Sequence, residues 1–211
     1  MRTAFLLAAL LSIPVPGHAL AIVPVQDDRS VAALGQSATP SPPFSRFNAF
    51  VGGVGAPNAS QDSSVGTTGM SGSGQTGRDG GGNGPGSTVF DLTFQVDEPA
   101  VYSLAGYASF SWDSFSGGPG PNSQVFVALL GPGGALYEPA LSRDSHNELA
   151  NTGTLDPGVD YRLVIAGSMT DTRGLAGARW NFTFGVEPVP EPYTALLVAL
   201  GLLGLAAARR K

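Results

Sequence analysis

The feature that most constrains this chain is a two-residue alternation of apolar and polar side chains, met three times. In the first run Phe90, Leu92, Phe94 and Val96 alternate with Asp91, Thr93 and Gln95. In the second, Tyr102, Leu104, Ala108, Phe110 and Trp112 share one parity and Ser103, Tyr107, Ser109, Ser111 and Asp113 the other. In the third, Trp180, Phe182, Phe184 and Val186 stand against Asn181 and Thr183. Side chains of a strand point to opposite faces in turn, so each run predicts a half-buried strand. Between the two chain ends no stretch keeps a helical period for ten residues. The expectation is an all-β, mostly antiparallel sandwich with Greek-key or jelly-roll connections.

The other segments are weaker. Ser30 to Leu34 predicts an edge strand, ended by Pro40, Pro42 and Pro43. Phe44 to Val54, with Phe44, Phe47, Phe50 and Val51, predicts a strand that Gly52, Gly53 and Gly55 let bend. Ala59 to Ser73 is nearly all small and polar, the composition of a linker, yet it also suits a flat-packed strand. Gly77 to Gly86 holds six glycines among ten residues and predicts a mobile loop. Asp97-Glu98-Pro99 turns the chain, so the strands on either side are expected to pair antiparallel. Val125 to Leu130 is apolar at both parities, which predicts a central strand. Gly131-Pro132-Gly133-Gly134 reads as a turn before a short strand over Leu136 to Leu141. Leu155-Asp156-Pro157-Gly158-Val159-Asp160-Tyr161 has the spacing of a tyrosine corner, where a phenol bonds backbone a few residues upstream, with Tyr161, Leu163 and Ile165 inward. The last strand runs into a proline segment and is expected to leave from the sheet edge.

Both ends differ from this body. Arg2, an apolar run from Ala4 to Ile13, breakers at Pro14 and Pro16, and the small residues Ala19 and Ala21 around Leu20 compose a secretory signal peptide. Its cleavage is expected after Ala21, giving domains at 1–21, 22–187 and 188–211. At the other end Pro188, Pro190 and Pro192 fix an extended, accessible stalk. Thr194 to Ala208 then runs 15 residues without a charge, about 22 Å as a helix, a short span for a bilayer core of about 30 Å. Tyr193 suits the interface, and Arg209, Arg210 and Lys211 would stay in the cytoplasm. The expectation is a transmembrane helix.

The order Val189-Pro190-Glu191-Pro192, short apolar span, Arg209-Arg210-Lys211 closely resembles the PEP-CTERM sorting signal of Gram-negative bacteria. The resemblance implies an exosortase partner, a membrane-embedded cysteine protease or transpeptidase. It also implies transient anchoring in the inner membrane and delivery to the cell surface or extracellular polymer. Proteins of this kind often carry an Arg-Ser stretch after the signal, a Phe-rich segment and a Gln-x-Ser-Ser strand. That layout favours the strand reading of Ala59 to Ser73.

Ile22 to Glu187 contains 166 residues, enough for one domain with a core, with seven Arg, no Lys and 15 Asp plus Glu. That acidity argues against nucleic acid as a partner. The chain has no cysteine, which excludes disulfides, thiol catalysis and zinc-thiolate sites. His146 sits beside Asp144, Ser145, Asn147 and Glu148 in one segment, which cannot by itself supply a convergent triad. Asp144, Asn147 and Glu148 are oxygen ligands suited to Ca²⁺ but lack EF-hand spacing; Asp156 and Asp160 read as turn-formers. Gly72-Ser73-Gly74-Gln75-Thr76-Gly77 matches G-x-G-x-x-G without the strand and helix that a dinucleotide site needs. The expectation is no catalytic residue, no cofactor and no metal: a non-enzymatic surface or matrix protein associated with exopolysaccharide. The alternative is a carbohydrate-binding module stacking sugars on Tyr107 and Phe115.

Overall fold

The computed structural model describes residues 20–53, 56–78, 84–112, 123–170, 176–189 and 200–201. The expected signal segment up to Ala19 and most of the expected membrane span therefore lie outside the described residues; Leu200 and Gly201 are helical. Among the described residues no helix is long and apolar enough to cross a membrane.

Thirteen strands form two antiparallel sheets among the described residues. They are β1 (Ile22–Asp27), β2 (Ser30–Ala33), β3 (Gln36–Ala38), β4 (Phe47–Gly52), β5 (Pro57–Val65), β6 (Gly69–Arg78), β7 (Gly86–Val96), β8 (Ala100–Trp112), β9 (Ser123–Gly131), β10 (Gly134–Tyr137), β11 (His146–Leu155), β12 (Tyr161–Met169) and β13 (Ala176–Pro188). One sheet runs β10-β9-β12-β7-β2-β3, with β1 also beside β7; the other runs β11-β8-β13-β6-β5-β4. Their apolar faces meet in ring contacts, Phe90 on Phe182 at 4.6 Å and Phe94 on Phe184 at 5.3 Å, both edge-to-face. Such pairs contribute roughly 0.5–1.5 kcal/mol each beyond the area they bury. Phe90, Leu92, Phe94, Val96, Trp180, Phe182, Phe184 and Val186 are all buried, as the alternation requires. Tyr102, Leu104 and Ala108 are buried too; the side chain of Trp112, and Asp113, lie outside the described residues.

Several expectations are corrected. β8 does not pair with β7: it pairs with β11 and β13 in the opposite sheet. Alternation fixes which face is apolar, and two apolar faces meet equally well side by side in one sheet or across a core. β2 is no edge strand, for it lies between β7 and β3, while β1, apolar up to Val25 and polar at Gln26 and Asp27, covers the other half of β7. Phe44 sits in a turn with φ +62°, and the strand starts at Phe47. Ala59 to Ser73 is neither linker nor one strand but parts of β5 and β6, joined through Gly66 and closed by Gly66 N–H donating to Gly69 O. β9 is paired on both sides but next to the short edge strand β10, and its Phe126 is 45% exposed. β10 stops at Tyr137, short of the expected Leu141. The last strand, β13, is flanked by β8 and β6, so the chain leaves from mid-sheet rather than an edge.

The tyrosine corner is present: Tyr161 Oη accepts from the Asp156 N–H at 2.8 Å, and its ring packs 6.0 Å from Phe94. The loop over Gly77 to Gly86 is narrower than composition suggests, with Gly77 in β6 and Gly86 in β7; residues 79–83 lie outside the described residues.

Candidate functional site

Strand register places the candidates on one surface, the outer face of the six-stranded sheet. Phe50 lies opposite Ser60, Ser60 opposite Gln75, Gln75 opposite Arg179, Arg179 opposite Ser109 and Ser109 opposite His146. This is a straight row across all six strands. The next row runs from Asn48 through Asp62, Ser73, Asn181 and Tyr107 to Glu148. The small side chains of β5 and β6 leave a shallow groove between Phe50 and Tyr107, with Asp62, Gln75 and Arg179 along it. Phe50 is 63% exposed. At the far edge Tyr107 stacks on His146, centroids 4.6 Å apart and planes 27° apart, and Asn181 Oδ1 accepts from the Tyr107 N–H. Phe115, the other expected sugar platform, lies outside the described residues.

The remaining polar candidates have local roles. Asn147 Oδ1 accepts from the Ser142 N–H at 2.7 Å, and its amide nitrogen donates to the carbonyls of Ser142, Ser145 and Ala108. The side chain that would have been a calcium ligand thus closes the loop before β11. Glu148 faces outward opposite Tyr107. Asp160 Oδ1 accepts from the Gln95 amide. Among the described residues no cluster of three His, Cys, Asp or Glu is placed to hold a metal ion. The G-x-G-x-x-G match has a packing explanation: a Cβ on Gly74 would stand 2.3 Å from Trp180 Cζ2 and one on Gly72 2.9 Å from Phe182 Cε1. β6 carries glycine at these positions because Trp180 and Phe182 of β13 lie over them.

The start of β1 and the end of β13 meet at one end of the sandwich. In the turn between β7 and β8, Asp97 Oδ1 accepts from the Ala21 N–H at 2.7 Å, and the Asp97 N–H donates back to Ala21 O. Two residues on, Pro99 O accepts from the Val189 N–H at 3.1 Å. The turn between β5 and β6 holds both neighbours, Thr67 O accepting from Ile22 N–H and Thr68 O from Val186 N–H. Glu187, Pro188 and Val189 are exposed, Val189 at 39%. Of the expected sorting residues Val189 is thus placed, accessible, just past the end of β13. Pro190, Glu191 and Pro192, and the cations Arg209, Arg210 and Lys211, lie outside the described residues. Ala19 also lies outside, while Ala21 is half-buried.

Comparison with family models gives a match over residues 188–211, described as the PEP-CTERM protein-sorting motif. The chain carries a PEP-CTERM sorting motif. That motif implies export and exosortase-dependent sorting. No curated protein matches the chain.

The layout that the PEP-CTERM resemblance suggested also converges in space, on a buried polar bridge between the sheets. Arg29 is fully buried. Its Nε and Nη2 donate to Asp27 Oδ1 and Oδ2, both at 2.7 Å, the two-pronged geometry that carboxylate and guanidinium favour. Nη2 also donates to Ser45 O at 2.7 Å, and Nη1 donates to Ser63 Oγ at 3.1 Å. The guanidinium carbon stands 6.0 Å from the ring centroids of both Phe47 and Phe90. Gln61, oriented to satisfy both ends of its amide, donates to Val89 O and Ser30 O and accepts from Ser63 Oγ. Burial pushes the Asp27 carboxyl up, but hydrogen bonds from Arg29 and the Phe44 N–H, with the Arg29 charge, outweigh it and hold the group below the usual carboxylate range. The Arg-Ser, Phe-rich and Gln-x-Ser-Ser elements are therefore parts of one structural clamp, in which Arg29 ties the β1–β2 corner to the segment before β4 and to β5.

Sequence reasoning missed Phe50 and Arg179 as members of the outer-face groove. The usable signal was register: once β4, β5, β6 and β13 are aligned, outward parity brings those two side chains beside Tyr107.

Proposed function

We propose that the protein is a non-enzymatic surface or extracellular-matrix component, exported by its N-terminal signal. In this reading it is held at the inner membrane by its C-terminal span while an exosortase acts at Pro190-Glu191-Pro192. It then resides in the exopolysaccharide. The observation that carries the reading is the PEP-CTERM motif at residues 188–211 on a stalk that leaves the sheet beside Pro99. Because Ala21 is bonded to the same turn, two membrane-directed segments leave one end of the domain. The rest of the sandwich can then face away from the bilayer during sorting. The acidic, cysteine-free composition suits a soluble domain in that compartment. The test is expression in a host that has the sorting enzyme. An exosortase-deficient strain should accumulate the unprocessed form in the membrane fraction; equal surface delivery in both strains would contradict the reading.

A second reading, that the domain binds carbohydrate, is favoured by the outer-face groove. The exposed Phe50 ring at one side and the half-buried Tyr107 ring beside His146 at the other, with amide, carboxylate and guanidinium groups between them, offer stacking surfaces and hydrogen-bond partners for a hydroxyl-rich chain. In affinity electrophoresis through gels containing host exopolysaccharide, the mature protein should be retarded, and Tyr107→Ala and Phe50→Ala should each relieve much of the retardation. Mobility unaffected by the polymer, or retardation indifferent to both substitutions, would remove this reading.

A further inference from the structure

We propose that the signal peptide is released by hydrolysis of the Ala19–Leu20 bond, two residues before the position that composition suggests, so that the mature protein begins at Leu20. The proposal rests on the reading of the N-terminus as a secretory signal. Signal peptidases read small residues one and three positions before the bond they cut. Ala19 and Ala21 satisfy that rule for a cut after Ala21, and Gly17 and Ala19 satisfy it for a cut after Ala19. Both bonds satisfy that spacing, the Ala-x-Ala form favouring the cut after Ala21. They differ in what they leave to fold.

Leu20 is only 5% exposed and belongs to the main hydrophobic core with Ile22, Val96 and Val186. Ala21 fastens the start of β1, its N–H donating to Asp97 Oδ1 and its carbonyl accepting from the Asp97 N–H. A cut after Ala21 would discard the leucine and both bonds, leaving the Asp97 carboxylate and N–H without these partners. A cut after Ala19 keeps them all. Water adds across the Ala19–Leu20 amide, the carboxyl stays on Ala19 with the departing signal, and Leu20 receives the amine. At neutral pH that amine is largely protonated, which sets a cation one residue from the amide that Asp97 binds. The cut is made on the chain as it emerges, so burial of Leu20 afterwards does not obstruct it.

The test is N-terminal sequencing of the full-length gene product recovered from the periplasm or medium of a Gram-negative host. Leu-Ala-Ile-Val-Pro-Val is expected. A start at Ile22, or at any other internal residue, overturns the position while leaving the signal reading intact; a product still beginning at Met1 overturns both. Ala21→Leu separates the two bonds independently. With the cut after Ala19 the substituted residue lies second beyond the bond, and processing proceeds at the wild-type position and rate. A block, or a tenfold slower release, would place Ala21 immediately before the bond and contradict the proposal.

Discussion

The N–H of Val189 donates to the carbonyl of Pro99 across 3.1 Å, fixing the first residue past β13 to the turn that also holds Ala21 through Asp97. Among the described residues the chain past β13 is attached to the domain by one backbone hydrogen bond at an exposed corner, and β13 itself is secured by two neighbours. Removal of residues 189–211 should cost about 1 kcal/mol, the usual worth of a single such bond, and leave the fold cooperative. Thermal unfolding of the two forms side by side checks this. A loss several times larger would mean that the tail is integral to the sandwich.

The Asp27–Arg29 pair has no exposed side-chain surface on either partner, so removing one partner leaves a buried charge. Asp27→Asn should cost roughly 3–5 kcal/mol at neutral pH, measured by urea unfolding. Since the Asp27 carboxyl is held below its ordinary value of 3.8 in the folded protein, its contribution is present above that value. It is lost as pH falls through the lower folded value. The wild-type protein should lose stability in acid below about pH 4, and Asp27→Asn should flatten that limb. Parallel acid limbs for the two proteins would contradict the assignment.

Gly74 lies against the indole of Trp180, with no room for a methyl group. Gly74→Ala should destabilise by about 1–3 kcal/mol through overpacking and change the near-ultraviolet dichroism of the buried tryptophan. Gly133→Ala, at a turn where a Cβ would meet nothing within 4 Å, is the control and should be close to neutral.

Tyr161→Phe removes the hydroxyl that receives the Asp156 N–H but keeps the ring on Phe94. Because Asp156 is exposed, water can replace the lost acceptor, and the cost should stay near 1 kcal/mol. Chemical denaturation resolves it. A change above about 3 kcal/mol would mean that the corner organises more than its own hydrogen bond.

What could be read from the sequence was local. The parity of Phe90 to Val96 and of Trp180 to Val186, the Gly131–Gly134 turn and the tyrosine corner each depend on spacings of a few residues, and each is present. What escaped was partner choice. Nothing within β7 or β8 distinguishes a neighbour in the sheet from one across the core, and the resolution of that question also moved β13 from edge to centre. β11 escaped because most of it is polar: Leu149 and Leu155 are buried, but Asn151 between them is inward as the acceptor for Tyr102 Oη rather than as an apolar residue. Arg29 escaped because an arginine reads as surface until its carboxylate, carbonyl and hydroxyl partners, contributed by Asp27, Ser45 and Ser63, are brought together by folding. At the candidate sites the sorting motif was legible because it is linear. The outer-face groove was not, because its side chains come from strands far apart in the chain.

In the proposed function the tail is a processing signal on an otherwise self-sufficient exported domain. The most direct measurement is the intact mass of the protein recovered from the surface of a host containing the sorting enzyme, compared with the same chain bearing Ala at Pro190, Glu191 and Pro192. The unaltered chain is expected to lose the span and its terminal Arg-Arg-Lys, whereas the substituted chain keeps them and stays in the membrane fraction. Identical C-terminal masses and identical surface delivery for the two would contradict it.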